Sequence, residues 1–185
     1  QKTGQLREIC SMRDLTNAEK IAEFMRVLGR KVRQPARVYF TGGTTAVMMG
    51  WRETTIDIDL RFVPDHDELY RELPHLKESL RINIELASPA DFIPQLPGWE
   101  ERSRFIAREG KLDFFHYDAY SQALSKIERG HEQDLKDVEA MISSGLVSKE
   151  RLYELFKAIE PELYKYPAIN PQSFAEAVEL VVRID

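Results

Sequence analysis

Asp57 and Asp59 flank a single isoleucine in Thr55-Ile56-Asp57-Ile58-Asp59-Leu60, a run that alternates apolar and polar side chains. On a strand, alternate residues share a face, which puts these two carboxylates on one side with Cα atoms roughly 7 Å apart. Acids so placed can share one or two hard divalent cations. Ions ~3.5–4 Å apart can clamp the attacking and leaving oxygens of a phosphoryl or nucleotidyl transfer. Upstream, Gly42-Gly43 follows the apolar run Val38-Tyr39-Phe40. A glycine pair between a strand and a helix lets backbone approach a phosphate closely, and the N–H groups opening the helix favour an anion. Either motif alone is commonplace, the one as a solvated strand face and the other as a turn. Their order carries the information: strand, glycine pair, short helix, acid-bearing strand.

Other chemistries find little footing. His66, His75, His116 and His131 have no paired ligand spacing and read as surface or supporting groups. With Cys10 as the lone cysteine, a zinc site is not expected. No serine lies in a G-x-S-x-G elbow and no G-x-x-x-x-G-K-[ST] phosphate loop occurs.

The elements that must position these residues are legible in outline. Thr16-Asn17-Ala18-Glu19 has the form of a capping box, and Ile21, Phe24, Met25 and Leu28 follow at helical spacing to about Gly29. Strands are expected at Val38–Phe40, Ile56–Phe62 and Ile82–Leu86, with a short helix over Thr44–Met49. A charged helix starts near Asp65, and Pro74 is expected to break or kink it. Arg104–Arg108 and Lys111–His116 flank Glu109-Gly110 as a hairpin. From Tyr120 the pattern is helical to about Ile184, punctuated by Gly130, Gly145 and Pro161 into about four helices. The fold class is therefore α+β: a mixed sheet flanked by helices over residues 17–118, then a helical C-terminal portion over 119–185, in one domain.

Composition narrows the field. At 185 residues and 43% hydrophobic, the chain can bury one real core. No run approaches the ~20 apolar residues of a membrane span and no signal peptide is read, so a cytoplasmic setting is expected, in keeping with one cysteine. A formal charge of −5 argues against coating nucleic acid by bulk charge, while leaving room for a local basic groove.

The run Phe40 to Leu60 resembles the signature of the nucleotidyltransferase superfamily, in which a G-[GS] turn precedes a strand bearing two alternating acids. Gly50-x-Arg52, Thr55-x-Asp57 and the later run Ala123 to Val147 resemble its abortive-infection (AbiE-type) toxin branch. The resemblance covers Val38 to about Val147. It implies that Gly42 and Gly43 hold the triphosphate of an incoming nucleotide and that Asp57 and Asp59 hold the metals, Mg²⁺ or Mn²⁺. Many members have serine where this chain has Gly43, and Thr44 or Thr45 would then supply the hydroxyl contact. The superfamily's third carboxylate, a base or second-metal ligand, is best matched by Glu85, with Asp113 in reserve and Asp91 after it. Lys126, with Arg129 at i+3, would neutralise triphosphate oxygens; the alternative is that both are solvated surface cations. Asp134 and Asp137 are read as supporting acids, by capping or by pairing with those cations.

The leading function is thus a metal-dependent nucleotidyltransferase acting on a nucleoside triphosphate. By resemblance its acceptor is an RNA such as tRNA and its partner a cognate antitoxin. Arg102, Arg104, Arg108 and Lys111 are candidates for an RNA path, or else a salt-bridged surface. Trp51 and Trp99 are candidates for base stacking, or else core. A small-molecule (aminoglycoside-type) nucleotidyltransferase and a non-catalytic nucleotide- or partner-binding module are the alternatives.

Overall fold

The computed structural model describes residues 14–183, and Cys10 lies outside them. The described residues form two compact units. One runs to Ala87 and resumes over Phe105–Phe115; the other comprises Ser88–Arg104 and the chain from His116 onward.

The first unit is built on a mixed sheet. Its strands are β1 (Ala36–Thr41), β2 (Asp57–Val63), β3 (Asn83–Leu86), β4 (Arg104–Glu109) and β5 (Leu112–His116), in spatial order β3-β2-β1-β5-β4, with the end residues Arg104 and His116 grouped in the second unit. β1 and β2 run antiparallel with Arg37 opposite Val63 and Thr41 opposite Asp59. β2 and β3 run parallel with Asp59 opposite Glu85. A parallel neighbour requires a crossover, which helix α3 (Asp67–Ser79) supplies.

One face of the sheet is apolar and closed. Val38, Phe40, Ile58, Leu60, Phe62, Ile84, Leu112 and Phe114 form a buried cluster with helices α1 (Ala18–Lys31) and α3. α1 contributes Ile21, Phe24, Met25 and Leu28, and α3 contributes Leu69, Leu73 and Leu76. Strict alternation then leaves Asp57 and Asp59 on the other face. Helix α2 (Gly42–Met48) begins at the glycines themselves, so that both lie in its first turn.

One expectation is corrected and another narrowed. The cap of α1 is Asn17, whose side chain accepts from the Lys20 N–H at 3.0 Å. Thr16 is instead bridged to Thr55 through paired backbone hydrogen bonds of 2.8 and 2.9 Å, so it cannot serve as the cap. Pro74 does not end α3. Its missing N–H leaves one carbonyl of the preceding turn without its helical partner, while the buried leucines on both sides of it keep the helix seated on the core.

The second unit holds helices α5 (Ala119–Arg129), α6 (Glu132–Ser143), α7 (Lys149–Ile159) and α8 (Pro171–Val182), with the short α4 (Trp99–Arg102). The segment Ser88–Arg104 belongs with these helices through specific contacts. Trp99 stacks on Tyr117 with ring centroids 4.5 Å apart, Arg102 pairs with Asp118 at 2.8 Å, and the Tyr166 hydroxyl donates to Ala90 O at 3.1 Å. Among the described residues no helix is long and apolar enough to cross a membrane.

Candidate functional site

The site starts from the register of β2. Asp57 and Asp59 share the face opposite Ile58 and Leu60, and parallel pairing sets Glu85 directly across from Asp59. A ligand oxygen from each of the three carboxylates lies within 4.8 Å of the others. Asp57 and Asp59 are half-buried and Glu85 is exposed. Of the three candidates for the third acid, the structure brings Glu85 to the pair. Asp113 is taken by Arg108, at 2.6 and 2.9 Å. Asp91 closes a short turn by accepting from Ser88 N at 2.8 Å.

Crowded like charge disfavours ionisation, and burial adds to it. Burial first, then the charges of Glu85 and Asp57 and a hydrogen bond with Glu85, push the Asp59 carboxyl up to about 7, with the Gly43 backbone N–H acting in the opposite direction. Asp57 is raised by burial and then by Glu85, with Lys77 opposing. A cluster of this kind is relieved by a proton or by a cation. Three carboxylates from adjacent strands give the hard oxygen set that suits Mg²⁺ or Mn²⁺.

The glycine pair is fixed by contact with this cluster. Gly42 has φ +57°, the left-handed region that favours glycine, and a Cβ there would come 2.6 Å from Asp59 Oδ2. A Cβ on Gly43 would lie 2.2 Å from Thr55 Oγ1. The glycines therefore let α2 start against the acid strand.

The threonines tie the same pieces together. Thr44 Oγ1 accepts from Asp59 N at 3.0 Å, Thr55 Oγ1 donates to Asp57 O at 3.1 Å, and Thr45 Oγ1 donates to Phe40 O at 3.3 Å. Thr44 and Thr45 are buried, their hydroxyls turned to strand backbone. Sequence reasoning used Thr55 only as part of the Thr55-x-Asp57 resemblance. Its signal was present, since a threonine two residues before Asp57 is placed to bond the backbone it leads into.

Lys126 and Arg129 lie in the second unit, in a buried ion-pair network between α5 and α6. Lys126 Nζ is 2.7 Å from Asp137 Oδ2 and 3.6 Å from Asp134 Oδ1, and Arg129 Nε is 3.2 Å from Asp134 Oδ2. Lys126, Asp134 and Asp137 are all at least nine-tenths buried. The matched i, i+3 spacings on the two helices bring cations and acids face to face.

Among the basic candidates, Arg102 is held by both oxygens of Asp118 and by Pro97 O, while Arg104 and Lys111 are exposed. Trp99 is buried. His116, read as a surface or supporting group, is buried too; burial and then the Arg104 charge lower its pKa to about 4. His66 joins Gln34 Oε1 at 2.9 Å and Pro35 O at 2.8 Å.

The structure thus sets a glycine turn beside three clustered carboxylates on a mixed sheet, an arrangement that could hold a divalent cation. The chain belongs to the family described as nucleotidyltransferase of unknown function (DUF6036), whose match spans residues 17–177. No curated protein and no solved structure matches the chain.

Proposed function

We propose that this chain transfers a nucleoside monophosphate from a nucleoside triphosphate to an acceptor hydroxyl, with its reaction centre at Asp57, Asp59 and Glu85. The observation that carries this reading is the set of three carboxylates within 4.8 Å on neighbouring strands, next to Gly42 and Gly43, in a chain of a nucleotidyltransferase family. Asp57 and Asp59 are the ligands for a divalent cation, and Glu85 completes the set. When bound, that cation supplies charge neutralisation and in-line alignment of the phosphoryl oxygens.

The protein's own residues do the positioning. Thr55 and Thr44 fix the backbone of Asp57 and Asp59, so the carboxylates are set before substrate arrives. Gly42 and Gly43 leave room beside them for the phosphate chain. In the transfer, the acceptor oxygen forms a bond to the α-phosphorus and the bond to the leaving pyrophosphate breaks. The hydroxyl proton passes to a carboxylate oxygen of Glu85, the most exposed of the three acids.

The finer reading is an RNA acceptor, such as tRNA, in a toxin–antitoxin pair in the cytoplasm. What supports it is the likeness of Gly50-x-Arg52, Thr55-x-Asp57 and the segment containing Lys126, Arg129, Asp134 and Asp137 to the AbiE-type branch. In this reading the Lys126 network holds α5 to α6, and the metal and phosphate chemistry stays with β2 and α2.

The test is incubation with each α-labelled nucleoside triphosphate, total RNA and Mg²⁺. A labelled RNA band that requires Mg²⁺ and is lost in Asp57→Asn and Asp59→Asn is the expected result. Label on a small molecule alone would replace the RNA reading. Triphosphate binding with no transfer to any acceptor would sink the enzymatic one.

A further inference from the structure

Opposite the acid cluster, at the other end of the same sheet face, lies a cavity of about 500 Å³ within the first unit. Its lining combines the apolar Pro35, Val63 and Pro64 with the basic Arg37, Arg108 and Lys111. The register fixes how far it is from the acids. Arg37 pairs with Val63 and Thr41 pairs with Asp59, so the two ends are four residues apart along β1, roughly 13 Å at strand spacing. Arg37 and Thr41 share a face, as do Val63 and Asp59, so both ends open on the side of the sheet that the helical core does not cover.

The charge at this end is the reverse of that at the acids. One carboxylate, Asp113, lines the cavity, and Arg108 already holds both its oxygens, at 2.6 and 2.9 Å. Arg37 also acts on Asp113 electrostatically, and the lining as a whole carries three cations, Arg37, Arg108 and Lys111, against one acid. Phe115 adjoins Arg37, and Phe105, outside the cavity lining, adjoins Phe115. Arg37 lies 5.8 Å from the centroid of the Phe115 ring, Phe115 stacks on Tyr39, and Phe105 meets Phe115 edge-on while remaining 59% exposed. Cations for a phosphate beside an exposed ring for a base are the pairing that recognises nucleotide units without regard to sequence.

We propose that this cavity is a second, metal-independent subsite for a nucleoside phosphate unit. The phosphate is held by Arg37 and Lys111 and the base lies against Phe105. That the unit belongs to the acceptor rests on the nucleotidyl-transfer reading; that the cavity binds it does not. The position fits the acceptor role, since a ligand seated ~13 Å from the carboxylates is held on the same face without occupying the metal site. Its phosphate comes either from a polynucleotide strand or from a free nucleotide.

The experiment measures binding of a fluorescently labelled short single-stranded RNA, in EDTA, to the whole chain and to the double variant Arg37→Glu, Lys111→Glu. AMP and inorganic phosphate serve as competitors. The expected result is at least a tenfold loss of affinity in the double variant, with a salt dependence in the wild type that the variant lacks. Displacement of RNA by AMP at comparable concentration assigns the site to free nucleotides, and failure of AMP to displace it assigns the site to a strand; both support a phosphate subsite. Equal binding by variant and wild type, or no binding of any probe by the wild type, overturns the proposal. A retained Mg²⁺-induced rise in Tm certifies that the double variant is folded with its acid cluster intact, and Phe105→Ala supplies a second variant without charge reversal. Wild-type transfer separates the two readings: if it is absent while the Arg37–Lys111 site binds RNA, the enzymatic reading falls and the cavity assignment stands.

Discussion

At the scale of single residues, the site is a problem of crowding solved by small groups. Asp59 shares its surroundings with Glu85 and Asp57 and is pushed up to about 7, so near neutral pH it is part-protonated without a cation. A cation must displace that proton. The Mg²⁺-induced rise in Tm should therefore grow from pH 6 to pH 8, which differential scanning fluorimetry reads directly; a rise independent of pH would remove Asp59 from the ligand set. Asp59→Asn relieves like-charge repulsion, so the metal-free variant should be more stable than wild type at pH 8, by an amount on the order of 1–3 kcal/mol. It should also lose its response to Mg²⁺. Gly43→Ala acts in the opposite sense, because its Cβ would sit 2.2 Å from Thr55 Oγ1. Its expected cost is ~1–3 kcal/mol, read by urea denaturation. Adding Thr55→Ala should recover part of that loss; no recovery would mean the contact is not the cause.

At the scale of elements, the second unit depends on a different electrostatic device. Lys126→Ala removes the shared cation of Asp134 and Asp137 and leaves buried acids facing one another, which should cost about 3–5 kcal/mol. Lys157→Ala, at an exposed i, i+3 pair with Glu160, should leave stability unchanged. Urea denaturation of both variants checks the contrast, and equal small effects would show that the Lys126 network does not hold α5 to α6. The two-residue alternation of β2 and the apolar spacing of α1 were legible because they are local patterns. So was the Asp57, Asp59 face. Glu85 was legible only as one of three acids, because what selects it is the parallel register with β2, and register is a long-range fact. Asp113 and Asp91 lie away from the pair with partners of their own, Arg108 across the hairpin and the Ser88 N–H, which no motif announced. Thr16 was misread as a cap because its actual partner, Thr55, lies far along the chain. The resemblance offered the hydroxyl of Thr44 or Thr45 to phosphate, and only the packing of α2 on β1 and β2 shows the strand backbone they meet.

At the scale of the whole molecule, the two units carry buried titrating groups of opposite sign, and acid should therefore act on them in opposite directions. Asp59 in the first unit has a folded pKa raised from 3.8 to about 7. The folded state thus holds a proton that the unfolded chain has lost, and this contribution is fully present below 3.8 and disappears as pH rises through 7. His116 in the second unit has a folded pKa lowered from 6.5 to about 4. Its contribution is present above 6.5 and is lost as pH falls toward 4, because the unfolded chain takes up a proton that the buried imidazole refuses. Lowering the pH from 7 to 4.5 in the absence of metal should therefore strengthen β2 and its neighbours while weakening the end of β5 and the start of α5. Hydrogen exchange, expressed as protection relative to the intrinsic rate at each pH, resolves the two. His116→Gln should flatten the acid loss in the second unit, a loss of up to ~3 kcal/mol in wild type, and leave the first unit's trend as it was. Asp59→Asn should flatten the gain in the first unit alone. Parallel falls in both units, unaffected by either variant, would show that neither group governs the acid response.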